Sequence, residues 1–194
     1  MKLCGLTGGV GMGKSTAAGF FLQHGVRIVD TDELARELVQ PGQPALLEIQ
    51  KQFGAGLLAA DGQLKRDELA RLVFADTGAR KKLEAILHPR IRERWQEQVN
   101  AWRSENCAVA MVVIPLLFET GAETSFDKII CVACSPAGQH ERLQGRGWPS
   151  EQIRGRIAAQ MSIDQKIARA HHVLWTEGSL ASHRQQVAKV MRII

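Results

Sequence analysis

The chain has 194 residues, 45% apolar and 23% charged, which are ordinary proportions for a globular protein long enough to bury one sizeable core. Its four cysteines are too few for a disulfide scaffold, and no run approaches the roughly 20 apolar residues of a membrane span. The net charge of +5 admits an anionic partner, but the basic residues are dispersed, which favours a small phosphorylated ligand over nucleic acid.

Residues 3–6 form a short apolar run that reads as a strand ending on glycines. Residues 14–24 read as a helix, with Gly25 as a left-handed stop. A second strand over 26–29 ends at Asp30. From there to residue 108 no convincing strand occurs. Helical patterns cover 31–39, 45–53, 66–74, 79–87 and 91–103, with a turn at Asp61-Gly62 and a break expected at His88-Pro89. The strongest strand spans 108–114 and stops at Pro115. Two more follow at 128–133 and 172–175. These runs are continuous rather than alternating, so both faces are buried, as in a parallel sheet covered by helices. The fold class is therefore α/β: a five-stranded parallel sheet flanked by helices, with a helical insertion and a second helical stretch. That second stretch starts at Ser135-Pro136, with Ser as N-cap and Pro at the first helical position, and is jointed at Trp148-Pro149-Ser150.

The run Gly8-Gly9-Val10-Gly11-Met12-Gly13-Lys14-Ser15 fits the pattern GxxxxGK[ST], placed after the first strand and opening the first helix. In that context the glycines turn backbone N–H groups inward around phosphate oxygens, and the helix points its positive end at the same anion. Gly11, Met12, Gly13, Lys14, Ser15 and Thr16 are the expected nucleotide-binding residues. Lys14 should reach the β- and γ-phosphates of ATP, and Ser15 should hold Mg²⁺. The base-reading motif of GTPase switches is missing, and the best apolar strand ends in proline rather than the acid of an ATPase motor. Both points favour a kinase. Asp30 ends a strand and Asp32 follows it. The residues alone leave open whether Asp32 takes a proton from an acceptor or serves as a helix N-terminal acid. Arg142 and Arg146, read as one helical turn apart on one face, suit a closing lid that stabilises transferring charge; Arg154, Arg156, Lys166 and Arg169 follow.

Cys131-x-x-Cys134 has no second CxxC or paired histidines at metal-binding spacing, and its strand setting suggests buried structural thiols. His171 and His172, as strand neighbours, point to opposite faces and do not suggest a metal site.

The ordered pieces Leu6-Thr7-Gly8-Gly9-Val10-Gly11-Met12-Gly13-Lys14-Ser15-Thr16, Val29-Asp30-Thr31-Asp32-Glu33-Leu34-Ala35-Arg36, Leu87-His88-Pro89-Arg90-Ile91 and Ile114-Pro115-Leu116-Leu117-Phe118-Glu119 together resemble the dephospho-CoA kinase family over nearly the whole chain. The resemblance implies transfer of a phosphoryl group from ATP to the ribose 3′-hydroxyl of dephospho-CoA. It implies a core of residues 1–31, 105–136 and 170–194, a substrate-binding insertion at 32–104 and a lid at 137–169. On it Asp32 matches the catalytic base, with Lys14 and Arg142 as its catalytic companions. Arg142 and Arg146 match lid arginines. His88 lies where the insertion meets the site, and Leu116 and Glu119 line the acceptor pocket or fix its loop. The partner implied is dephospho-CoA, with no nucleic acid and no membrane, for a cytoplasmic monomer or weak homo-oligomer. One departure stands near the last strand: Thr176 replaces the family's Asn and His171 replaces an acid, which bears on the adenine side of the nucleotide pocket. Readings outside that family are a kinase for another hydroxyl acceptor, such as a nucleoside monophosphate or a sugar acid, and a nucleotide-dependent nucleic-acid binder.

Overall fold

The computed structural model describes residues 1–194, and the chain divides into two compact units. One comprises Met1–Asp30 and Ala101–Ile194; the other is Thr31–Asn100. The first holds every strand: β1 (Lys2–Gly8), β2 (Arg27–Asp30), β3 (Val109–Val113), β4 (Lys128–Ala133) and β5 (His172–Trp175). In chain order the helices are α1 (Lys14–Gln23), then α2 (Thr31–Glu37), α3 (Pro44–Phe53), α4 (Arg66–Ala75) and α5 (Thr77–Ser104), then α6 (Pro136–Gln144), α7 (Ser150–Ala158), α8 (Ile163–Arg169) and α9 (Leu180–Met191).

The strands form a single five-stranded sheet in the order β2-β3-β1-β4-β5, parallel at every pairing. The expected fold class is the one observed. Central β1 pairs with β3 on one side and β4 on the other, so connections leave it in opposite directions. Such a switch point opens a crevice at the carboxyl ends of the strands. Here that edge carries Gly8, Asp30 and Ala133. The interior strands are mostly apolar because both faces are covered. Leu6, Met111, Val113, Ile130 and Val132 join Phe20 and Phe21 of α1 and Val187 and Val190 of α9 in one cluster. Burying a side chain of this kind contributes about 1.5–3 kcal/mol.

Strand β5 lies at an edge, with Val173 and Trp175 exposed. An edge strand leaves one row of backbone groups unpaired. Gln186 of α9 covers part of that row: its Oε1 accepts the Trp175 N–H at 2.9 Å and its Nε2 donates to the Trp175 carbonyl at 2.8 Å.

The second unit is helical, with a core of Leu38, Leu46, Ile49, Leu57, Leu69 and Ile86. Between α3 and α4 a short antiparallel bridge joins Leu58 and Leu64 around the Asp61-Gly62 turn, where Gly62 takes φ +78°. The break expected at His88-Pro89 does not occur, since α5 runs unbroken through Pro89. The conformational bias of a residue before proline is a preference and not a prohibition. Packing overrides it, because Leu83, Ile86, Leu87 and Ile91, on both sides of the proline, join the same core. Beside the proline, the Arg90 guanidinium donates to the Ile86 carbonyl at 2.6 Å and pairs with Glu48 of α3 at 2.5 Å.

Candidate active site

The loop between β1 and α1 is built where side chains cannot fit. Gly8 (φ +146°) is registered against Val132, and a Cβ there would meet the Val132 carbonyl oxygen. Gly11 takes φ +75°, and a Cβ on it would come within 2.8 Å of Leu143 on α6. Gly13 adopts the left-handed region at φ +92° and is the N-cap of α1, with no side-chain cap bond. An α-helix leaves its first N–H groups without intrahelical acceptors, so a glycine N-cap leaves this end to an anion. The Lys14 ammonium folds back across the loop and donates to the carbonyls of Gly8 and Gly9, both at 3.0 Å. Ser15 and Thr16 follow in the first turn, exposed. The loop has the shape and donor set to cradle phosphate oxygens. No group of three or more His, Cys, Asp or Glu side chains is gathered to hold a metal ion.

Helix α6 approaches the loop from the side. Its N-cap is Ser135, whose Oγ accepts the Gly138 N–H at 3.1 Å. Glu177 fixes this corner by accepting the Ser135 N–H at 3.1 Å, the Ser135 hydroxyl, and the Trp175 indole N–H at 2.9 Å. These bonds, chiefly the one from the Ser135 hydroxyl, hold the Glu177 carboxyl below its ordinary value. Arg142 donates to Thr176 twice, to Oγ1 at 2.7 Å and to the carbonyl at 2.5 Å. Buried Thr176 in turn donates to the Met12 carbonyl at 3.0 Å, with the Ala133 carbonyl at 3.3 Å. Thr176 thus joins the phosphate loop, the end of β4 and the arginine of α6. The departure from the family's Asn lies at a hydrogen-bonding junction, a role its position after the last strand did not reveal. Arg146 does not share a helix face with Arg142. Helix α6 ends at Gln144, and Arg146 sits in the following turn, where Gly147 takes φ +78°. Two glycines flanking an arginine stop the helix that the four-residue spacing suggested.

Of the cations after Arg146, Arg154 is exposed, but Lys166 and Arg169 are not simply solvated. Lys166 on α8 is fully buried. Its Nζ lies 2.8 Å from Glu119 Oε1 and donates to the Pro115 carbonyl at 2.6 Å. Arg169 pairs with Glu123 and lies 4.5 Å above the Phe118 ring. Helix α8 is accordingly fastened to the segment after β3, which carries Leu116 and Glu119, and it packs on β1 and β4. Nothing in a sequence distinguishes Lys166 from its exposed neighbours except its place between Ile163 and Ile167.

The candidate residues therefore fall in two groups. Gly11, Met12, Gly13, Lys14, Ser15, Thr16, Leu116, Glu119, Arg142 and Arg146 belong to the sheet-bearing unit. Asp32, exposed in the first turn of α2, and His88, half-buried in α5, belong to the helical unit. Asp30 ends β2, opposite Val113. The cysteines of the CxxC segment are free, buried thiols. Burial pushes Cys131 up to about 11 and raises Cys134 as well.

The family model for dephospho-CoA kinase matches residues 2–182. The chain belongs to the dephospho-CoA kinase family. A family member from Syntrophotalea carbinolica is 41% identical over 98% of this chain and 91% of its own length. One from Bdellovibrio bacteriovorus is 39% identical over 99% and 96%. Among solved structures, TT1252 from Thermus thermophilus superposes with a TM-score of 0.86 at 32% identity, covering 99% of this chain and 96% of that one. Dephospho-CoA kinase from Campylobacter jejuni gives 0.73 at 29%, with 99% and 96% covered. A shikimate kinase from Acinetobacter baumannii, at 0.54 and 12% identity, shares the fold alone. Family membership accounts for the phosphate loop, the PLLFE segment and the order in which they occur.

Proposed function

We propose that the protein transfers the γ-phosphoryl group of ATP to the ribose 3′-hydroxyl of dephospho-CoA, giving CoA and ADP, the last step of coenzyme A synthesis. The observation that carries this reading is the family match across residues 2–182, laid over a phosphate loop whose glycines leave no room for side chains. The loop N–H groups and Lys14 bind and orient the phosphates. The Ser15 hydroxyl would hold Mg²⁺, which would supply neutralisation of the phosphate charge. Asp32 accepts the proton of the 3′-hydroxyl as its oxygen bonds to phosphorus and the bond to the β-phosphate oxygen breaks. Asp30 or Asp32 would support the metal. Arg142 and Arg146 face the transferring charge when the lid closes, which requires Arg142 to leave Thr176. His88, Leu116 and the helical unit hold the acceptor.

Residues 1–31, 105–136 and 170–194 act as the nucleotide core, 32–104 as the acceptor-binding part and 137–169 as the lid. The protein acts in the cytoplasm as a monomer or weak homo-oligomer, without nucleic acid. No helix is long and apolar enough to cross a membrane. The test is incubation of purified protein with Mg-ATP and dephospho-CoA, read by mass spectrometry for the 3′-phosphorylated product. Its absence, with product formed from a nucleoside monophosphate or sugar acid instead, refutes the assignment.

A further inference from the structure

Val10 stands in the middle of the phosphate loop, and both of its backbone polar groups are taken by side-chain amides from outside the loop. Gln160 Oε1 accepts the Val10 N–H at 3.0 Å, and Gln139 Nε2 donates to the Val10 carbonyl at 2.7 Å. Gln139 is buried on α6, whereas Gln160 lies in the turn between α7 and α8 and owes its position to what holds that turn. The next residue supplies the answer: the Met161 N–H donates to Glu119 Oε1 at 2.8 Å. Glu119 is held by the buried Lys166 ammonium at 2.8 Å, and its side chain is 21% exposed. The same ammonium donates to the Pro115 carbonyl, which also accepts the Thr7 hydroxyl at 3.3 Å. Thr7 directly precedes Gly8. The contacts therefore run from Val10 through Gln160, Met161, Glu119, Lys166 and Pro115 back to the strand that feeds the loop.

An ion pair with one buried partner is weak evidence for stability, since apolar replacements of similar volume often do as well. It does fix geometry, because a carboxylate that must face one ammonium and one N–H has few orientations left. We propose that Glu119 and Lys166 are a positioning pair for the phosphate loop. They act through the Met161 N–H and the Gln160 amide on Val10, and Glu119 does not contact the acceptor. The proposal rests on Gly8 to Ser15 binding nucleotide phosphates, and not on which hydroxyl is phosphorylated.

The experiment is calorimetric titration of Mg-ATP into the full chain, without acceptor, together with steady-state measurement of KM for dephospho-CoA, for Gln160→Leu, Glu119→Gln and the double variant, with thermal midpoints recorded for each. Loss of the Val10 contact is expected to weaken ATP binding about three- to tenfold in Gln160→Leu, with KM for dephospho-CoA unchanged. Glu119→Gln should weaken ATP binding as well. The double variant should be no weaker than the weaker single one, because both changes break one chain of contacts. Additive losses overturn the proposal, as does unchanged ATP binding in Gln160→Leu. A Glu119→Gln effect confined to KM for dephospho-CoA returns Glu119 to the acceptor pocket. If Glu119→Gln does not fold, the paired change Glu119→Leu with Lys166→Met removes both charges together and must show the same weakening of ATP. Failure to phosphorylate dephospho-CoA would refute the acceptor assignment while leaving the ATP titrations decisive.

Discussion

Asp32 and Thr176 illustrate how differently single residues disclose their work. Asp32 follows the end of β2 by two residues, and its acid could equally belong to the first turn of a helix, where the macrodipole favours it. Family membership weights the catalytic reading. As a general base it is worth about 10²- to 10⁴-fold. Asp32→Asn should lower kcat by that much while leaving the thermal midpoint within a degree or two, measured by steady-state assay and calorimetry; an unchanged kcat rules the role out. Thr176 was visible only as a substitution in a motif. Its hydroxyl serves Met12, Ala133 and Arg142 at once. Thr176→Val keeps the shape and removes the hydroxyl, and should cost about 1–3 kcal/mol in chemical denaturation. Thr176→Ser, which keeps the hydroxyl, should recover most of that loss.

Among the elements, α5 departs most from local expectation. Pro89 withholds the N–H that would meet the Ala85 carbonyl and crowds that turn, yet the helix continues because its apolar residues on both sides share one core. The residue is exposed. Pro89→Ala should therefore stabilise the protein by about 1–2 kcal/mol, the helical gain being reduced by the greater freedom of the unfolded chain. Denaturant titration gives the answer, and a lower midpoint would mean that the proline's geometry is itself required. Helix α6 is a contrary case. Its N-terminus was legible from Ser135-Pro136, but its C-terminus was not, because Gly145 and Gly147 flank an arginine whose spacing from Arg142 mimics one more turn.

Across the molecule, two imidazoles shape the pH response of stability, buried His183 and half-buried His172. His183 on α9 lies edge-on to Phe20 with ring centroids 5.3 Å apart, is 4% exposed, and has no hydrogen-bond partner at Nε2. Burial, and secondarily the charge of Arg142, holds its pKa below 6.5. The unfolded chain thus takes up the proton first as pH falls. Stability contributed by the neutral ring is complete above 6.5 and is lost between 6.5 and the lower folded value. His172 is lowered too, again mainly by burial, and adds in the same direction. The thermal midpoint should fall from about pH 7.5 to about pH 5, and His183→Leu should flatten part of that decline. An identical slope in the variant would show that the ring does not titrate in this window.

The sequence by itself determined the α/β class, the five strands and the phosphate loop. Each rests on local chemistry: continuous apolar runs, glycines in one turn, and a lysine opening a helix. The family motifs extended this to the acceptor. Tertiary structure decided what local chemistry leaves equal. A lysine in a charged stretch is solvated or buried according to what packs over it, and Lys166 is buried because Glu119 and Pro115, about fifty residues away in the chain, meet its ammonium. A glutamine in a turn is inert or a brace according to what backbone it reaches, and Gln160 reaches Val10. Such contacts join residues distant in sequence, and no periodicity or spacing within one segment carries them.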